Sequence, residues 1–306
     1  MQLINTLLEN LPVIHTLRLA GVNLIAPSPD IKGQAAAWEG VLSILSLFQF
    51  IGNFTFSTPL ARFYEAAATW DASNQSLIAK YLPQLVVVQT FSLQSAPIII
   101  PKLIAPAAVK TLAMECDSSV FGTSMVDLFA SLIQDSSSTL KHLECHILRS
   151  FVYSDSNYRS LLQHRLNLSA CSRLQSIHLS LETGHTDDYN YDSYLAIPLA
   201  LFDILPLSVQ TIAFHIMASS NLEILLTDHF DFERMESALL RLPELRTITF
   251  DISTSVVKPI SAQRRSQLAG FFKTKMPVAA SRDLLRFGLV KDCRYLYRIR
   301  PSMIHG

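Results

Sequence analysis

A short apolar pattern returns along this chain at a nearly constant interval, and that period constrains the fold more than any other feature. The stretches "VQTIAFHI" (209–216) and "LRTITFDI" (245–252) share a core of polar, apolar, variable and apolar residues. Eight copies, aligned on the last residue of this core, are separated by 37, 37, 21, 31, 34, 35 and 36 residues: Leu19, Phe56, Leu93, Met114, Cys145, Leu179, Phe214 and Phe250. A ninth, weaker copy ends at Phe287. This period predicts stacked units that share a continuous core.

Each copy alternates like a buried strand, and the segments between copies have helical spacing. Two predicted helix faces are Trp38, Val41, Leu42, Leu45 and Phe48, and Phe232, Met235, Leu239 and Leu242. The segment 97–106 contains three prolines and is predicted to cross in extended form. We therefore expect an α/β chain with one curved parallel sheet and right-handed crossovers. Its strands should be centred near Leu17, Phe54, Phe91, Leu112, Leu143, Ile177, Ile212 and Ile248.

Several copies follow a lead-in of one form, such as "LPVIHTL", "LPLSVQTI" and "LPELRTI". With this lead-in, the chain resembles an irregular leucine-rich-repeat domain like those that follow the F-box in many fungal F-box-like proteins. The resemblance covers about residues 3–290 and implies a leucine-rich-repeat solenoid, or horseshoe, with helices on its convex side. We expect a repeat array over 1–290 and a basic C-terminal cap or tail over 291–306. Because a repeat strand is already under way at Thr16, we expect no F-box module within this sequence.

Polar side chains lie between the apolar ones of each copy and are predicted to line the concave face, because alternate residues of a strand point to opposite sides. In parallel register, Glu144 should lie beside His178, and His146, Ser180, His215 and Asp251 should form one row across four strands. The candidate partner-binding residues are the ionisable ones: His142, Glu144, His146, His178, His215 and Asp251. Histidines that titrate near neutral pH would make binding differ between pH 6 and pH 8.

Three interpretations of these residues stay open on the sequence alone. They form a recognition patch for another protein, or a solvated sheet face on which histidines happen to fall. A metal site made by Glu144, His146 and His178 is the third. Ligating histidines need outer-shell partners, and nothing in the sequence supplies them. We therefore expect no metal.

Enzyme motifs that need closely spaced glycines can be tested directly, because the nine glycines are never closer than seven residues. That spacing excludes G-x-G-x-x-G, the P-loop and G-x-S-x-G, and the chain also contains no H-E-x-x-H or C-x-x-C. We expect no catalytic activity, no cofactor and no small-molecule substrate. The four cysteines have no paired spacing, which is typical of reduced thiols in a cytoplasmic or nuclear protein. The segment 183–194, "TGHTDDYNYDSY", is predicted to be an acidic surface loop.

Charge is unevenly distributed, although the formal net charge is zero. From Lys258 onward there are 11 Lys and Arg against 2 Asp and Glu, whereas the preceding residues carry 14 against 23.

The repeat pattern and the absence of these enzyme motifs favour a non-catalytic protein–protein interaction scaffold, and the F-box resemblance implies substrate recognition for a ubiquitin ligase. A ubiquitin-ligase adaptor would bind only if an F-box precedes this chain. The alternative is nucleic-acid or anionic-membrane binding through the basic region 258–300.

Overall fold

The computed structural model describes residues 13–20, 45, 48–57, 87–94, 108–116, 130–147, 165–183, 192–218, 231–254 and 261–289. The chain divides into two compact units, Met1–Met114 and Glu115–Gly306. The predicted extended crossing at 97–106 and the basic tail at 291–306 lie outside the described residues. So does most of the predicted helix face at 38–48, of which Leu45 and Phe48 are described and buried.

The first unit contains strands in parallel pairing. They are β1 (Val13–Ala20), β2 (Phe50–Ser57), β3 (Val87–Gln94) and β4 (Thr111–Cys116), and β4 ends two residues past the unit boundary. They are neighbours in chain order, with Leu17 opposite Phe54 and Phe91 opposite Leu112. This is the predicted register. The side chains of Phe54 and Leu112 are buried, as alternation requires.

The second unit continues the same scheme with β5 (His142–Ile147), β6 (Ser176–Thr183), β7 (Thr211–Ala218), β8 (Thr247–Thr254) and β9 (Leu285–Leu289). Its helices are α1 (Asp192–Asp203), α2 (Phe232–Leu240), α3 (Ala262–Lys275) and α4 (Pro277–Ser281). All its described strand pairs are parallel and follow chain order. The α/β class and the strand positions are confirmed, including the ninth copy as β9.

The predicted loop at 183–194 is wrong at both ends. Thr183 is the last residue of β6, and Asp192 is the first residue of α1. Alternating polar and aromatic residues gave no helical period there. The helix continues through Pro198 toward buried Leu199 and Phe202, so packing of its C-terminal half decides its formation.

Side-chain caps set the starts of α2 and α3. The Asp231 carboxylate accepts a hydrogen bond from the Arg234 N–H at 3.0 Å, and the Ser261 hydroxyl accepts one from the Arg264 N–H at 3.2 Å. The predicted apolar face of α2 is confirmed, because Phe232, Met235 and Leu239 are all buried.

The lead-in residues form the same tight turn before three successive strands. The carbonyls of Cys171, Pro206 and Leu242 accept hydrogen bonds from the N–H three residues later, at 2.9, 3.3 and 3.3 Å. We call the last residue of each apolar core, on which the copies were aligned, the anchor residue. Each turn buries an apolar side chain five residues before the anchor residue: Leu174, Val209 and Leu245. The lead-in therefore adds a third core position to each repeat.

Backbone hydrogen bonds join each repeat to the next at the point where its strand begins. The Lys141 carbonyl accepts from the N–H groups of Gln175 and Ser176 at 2.8 and 3.1 Å. The Gln175 carbonyl does the same for the next repeat at 2.8 and 3.0 Å, and the Gln210 carbonyl for the one after at 2.8 and 3.2 Å. This recurring pair of bonds fixes the parallel register from β5 to β8.

Candidate partner-binding face

The outward residues of β5 to β8 form the face on which the candidate residues lie, and we call it the β5–β8 face. Glu144 is in register with His178, as predicted. Ser180 is in register with His146 on one side and with His215 on the other, and His215 is in register with Asp251. The predicted row across four strands is therefore confirmed in the backbone. The His146 side chain lies outside the described residues.

This face is less exposed than its polar composition predicts. Ser180 is 2% exposed and His215 is 7% exposed, so the expectation of a solvated sheet face is wrong at these two residues. Glu144, His178 and Asp251 are half-buried, and His142 is exposed. Strand alternation tells which side of the sheet a residue points to. It does not tell how deeply its neighbours bury it.

Two polar atoms in the centre of the face are buried without hydrogen bonds. Within the described residues, neither His178 Nε2 nor Ser180 Oγ has a hydrogen-bond partner. The His178 and His215 rings lie 6.3 Å apart between centroids, at 43°. Leaving a buried polar atom unpaired costs about 1–3 kcal/mol, so a bound molecule that pairs with these atoms would gain in affinity.

Burial changes the titration of two groups on this face. It lowers the pKa of His215 from 6.5 to about 4, and the neighbouring His178 lowers it further in the same direction. Burial also raises the pKa of Asp251, and His178 partly offsets this effect. A histidine with this pKa stays neutral between pH 6 and pH 8, so His215 would add nothing to the predicted difference in binding over that range.

The Asp251 carboxylate lies over Gly288 of β9, its register partner. A Cβ at position 288 would collide with Asp251 Oδ1, so glycine makes the room that this carboxylate occupies. Arg286 is in register with Thr249, two residues before Asp251 on β8, and its guanidinium makes other contacts. Its guanidinium donates to the Asp283 carboxylate at 3.0 and 3.1 Å and to the Asp283 carbonyl at 2.8 Å.

At the start of β5 and β6, a side-chain hydrogen bond links the two strands. His142 Nδ1 and Ser176 Oγ lie 2.7 Å apart. His142 is thus separated along the strands from the row that contains His215 and Asp251, and the six candidate residues do not form one cluster. The compact group is His178, Ser180, His215 and Asp251.

Ser180, His215 and Asp251 have the residue types of a Ser–His–Asp triad, but not its contacts. In a triad, the serine hydroxyl lies within about 2.6–3.2 Å of the histidine nitrogen that takes its proton. Ser180 Oγ makes no hydrogen bond within the described residues, so this contact is not formed. Among the described side chains, no group of three or more His, Cys, Asp or Glu is placed to hold a metal ion.

Two residues around Asp251 and His215 were absent from the candidate set. Ser180 was left out because it does not ionise, and Gly288 was not considered. The sequence held the signal for Gly288, because aligning the ninth copy on Phe287 puts this glycine beside Asp251.

In the basic C-terminal region, the structure describes α3, α4 and β9. The apolar residues Leu268 and Phe272 of α3 are buried in the unit's own core. The Lys275 ammonium lies 5.8 Å from the centroid of the Phe271 ring, and Arg264 donates to Gln267 at 3.2 Å. Among the described residues of this region, Leu268 and Phe272 are therefore occupied in packing within the unit.

No protein-family model matches this chain, and no curated protein matches it. Over the part of the chain that the structure describes, no helix combines the length and apolar character needed to cross a membrane.

Proposed function

We propose that this chain is a leucine-rich-repeat solenoid that binds another protein on its β5–β8 face. The parallel strands in chain order, the helical connections and the recurring lead-in turn support this reading of the fold. In such a stack, the apolar positions are fixed by the core, while the outward residues are available for recognition. The proposed role is non-catalytic.

The observation that carries the proposal is the pair of buried, unpaired polar atoms, His178 Nε2 and Ser180 Oγ. A sheet face that served only for solubility would place its polar atoms in water. Here they lie beside His215 and Asp251, in a region that has already lost much of its water. A partner that supplies hydrogen bonds would recover the free energy that these atoms lack.

The test compares two double variants in affinity capture followed by mass spectrometry. Glu144→Ala with His178→Ala removes polar groups from the β5–β8 face. Arg173→Ala with Glu244→Ala removes one basic and one acidic group from exposed lead-in turns of the same unit. A partner retained by the wild type and the lead-in variant but lost by the face variant supports the proposal. If every captured protein binds all three forms equally, the β5–β8 face is not the binding surface.

A role in substrate recognition for an F-box-type ubiquitin ligase is the narrower form of the proposal. It rests on the resemblance of the lead-in and repeat to those of fungal F-box-like proteins. This form of the proposal requires an F-box in front of this chain in a longer protein. The face variant of that longer protein should lose the substrate but keep the ligase adaptor, which would bind the F-box. If a captured partner depends on the β5–β8 face but no ubiquitin-ligase component is captured with it, the scaffold function is supported and the ligase role is contradicted.

A further inference from the structure

We propose that the β5–β8 face recognises a basic side chain, arginine or lysine, in an extended segment of its partner, with Asp251 as the anionic contact and His178 and Ser180 as hydrogen-bond acceptors. This inference rests on the proposed function and specifies the chemistry of the partner.

Asp251 supplies a carboxylate that gains from a cation. It is half-buried, and burial raises its pKa because its charged form has lost water. A ligand cation placed close to the carboxylate would favour its ionised form and offset that loss of water.

The neighbouring basic residue of the protein does not fill this place. Arg286 is the basic residue on the outward side of β9, in register with Thr249, and its guanidinium donates to the Asp283 carboxylate and to the carbonyls of Asp283 and Leu285. His215, in register with Asp251, is held neutral by burial. Neither group supplies Asp251 with a full positive charge at neutral pH.

Acceptors for the remaining N–H groups of such a ligand lie on the same face. Ser180 is 2% exposed and its hydroxyl has no partner within the described residues, as is true of His178 Nε2. Ala213 of β7 lies in register between His178 of β6 and Thr249 of β8. Its short methyl side chain leaves space above the sheet. Arginine offers five N–H donors and lysine three, so either side chain can donate to these two atoms.

Charge complementarity favours the same class of partner. The residues that precede Lys258 carry 23 Asp and Glu against 14 Lys and Arg, and this part of the chain contains the whole β5–β8 face. A basic segment would be attracted to it during diffusion, while an acidic one would be repelled. An extended segment fits because the face is a row of neighbouring parallel strands, across which such a segment can lie.

The experiment uses pools of random, fluorescein-labelled short peptides with one fixed central residue: arginine, lysine, citrulline or glutamate. Citrulline has nearly the shape of arginine without its charge. Fluorescence polarisation with the full chain at physiological ionic strength should give roughly tenfold tighter binding of the arginine and lysine pools than of the citrulline pool. Asp251→Asn, which keeps the side-chain shape, should bring that ratio close to one.

Two matched pairs of variants separate local recognition from general attraction to an acidic chain. Glu244→Gln removes a charge from an exposed turn and should keep the ratio, in contrast to Asp251→Asn. Gly288→Ala places a methyl group where the Asp251 carboxylate lies and should lower the ratio. Gly270→Ala meets no atom within 4 Å and should not change it.

Three results would overturn the inference: equal binding of the arginine and citrulline pools, preference for glutamate, or no binding of any pool. A partner lost by the Glu144→Ala and His178→Ala variant would then still support the proposed function. The opposite result is also possible: no captured partner depends on Glu144 and His178, but the arginine preference remains and is lost in Asp251→Asn. In that case only the protein-partner proposal fails.

Discussion

The rings of Phe214 and Phe250 stack at 5.0 Å between centroids and 9° between planes. These are the anchor residues of two successive repeats, so parallel register brings identical side chains face to face. Phe287 continues the stack at 6.1 Å from Phe250, and Phe272 of α3 packs against Phe250 at 4.2 Å. Phe250 therefore joins the stacked rings of successive strands to the ring of Phe272 on α3.

Phe250→Ala should lower the free energy of unfolding by about 3–5 kcal/mol, because it removes a buried ring that three other rings contact. Thr249→Ala, on the outward side of the same strand, should cost less than about 1 kcal/mol. Urea denaturation of both variants measures the difference. Equal losses would show that the inward and outward sides of β8 are assigned the wrong way round.

Glu236 is a buried carboxylate that joins α2 to α4. Its Oε1 accepts a hydrogen bond from the Ala279 N–H at 2.7 Å, in the first turn of α4. Glu236→Ala should destabilise the protein by about 1–3 kcal/mol, since it leaves that buried N–H unpaired. Glu236→Gln keeps an acceptor and should cost less. Ser237→Ala, exposed on the same helix, is the control and should change stability by no more than about 0.5 kcal/mol.

The period of the apolar pattern predicted much of this fold because stacking repeats the same buried positions. Aligning Phe214 with Phe250 was enough to place His215 beside Asp251, and aligning Leu179 with Phe214 placed Ser180 beside His215. The lead-in turn was visible as a sequence pattern. Its role, a third core position and a repeated pair of backbone hydrogen bonds, required the structure.

Depth of burial and contacts between elements were not predictable from periodicity. Glu236 is a charged residue on a helix whose apolar face was predicted at Phe232, Met235 and Leu239, and only the position of α4 explains its burial. In the same way, the low exposure of Ser180 depends on its larger neighbours. The position of the Asp251 carboxylate depends on the absence of a side chain at Gly288.

Cys145 and Cys171 should resist alkylation in the native protein. Burial, and secondarily the nearby Glu144, raises the pKa of Cys145 to about 12, and burial raises the pKa of Cys171 to about 11. The thiolate is the reactive form, so neither side chain should react with iodoacetamide at pH 8 over the time in which both react in denaturant. Peptide mass spectrometry reports each site. Native labelling of Cys145 at the denatured rate would show that β5 is not packed as described.

His215 should make the protein less stable as the pH falls from 6.5 to 4. Its pKa is about 4 in the folded state and near 6.5 when unfolded, so the unfolded chain takes up the proton first in that range. The loss should be on the order of 3 kcal/mol, complete near pH 4, with no contribution above pH 6.5. Asp251 acts in the opposite direction, because its raised pKa lets the folded state protonate first as the pH falls.

The two effects are separated by comparing variants rather than by one profile. His215→Gln keeps a neutral polar side chain and should lose less stability between pH 6.5 and pH 4 than the wild type does, in denaturation experiments at each pH. Thr249→Ala, on the outward side of β8, removes no ionisable group and should follow the wild-type profile. Parallel profiles for His215→Gln and the wild type would mean that His215 is accessible to water and titrates normally. The β5–β8 face would then be a solvated surface, and the unpaired atoms of His178 and Ser180 would be satisfied by water instead of a partner.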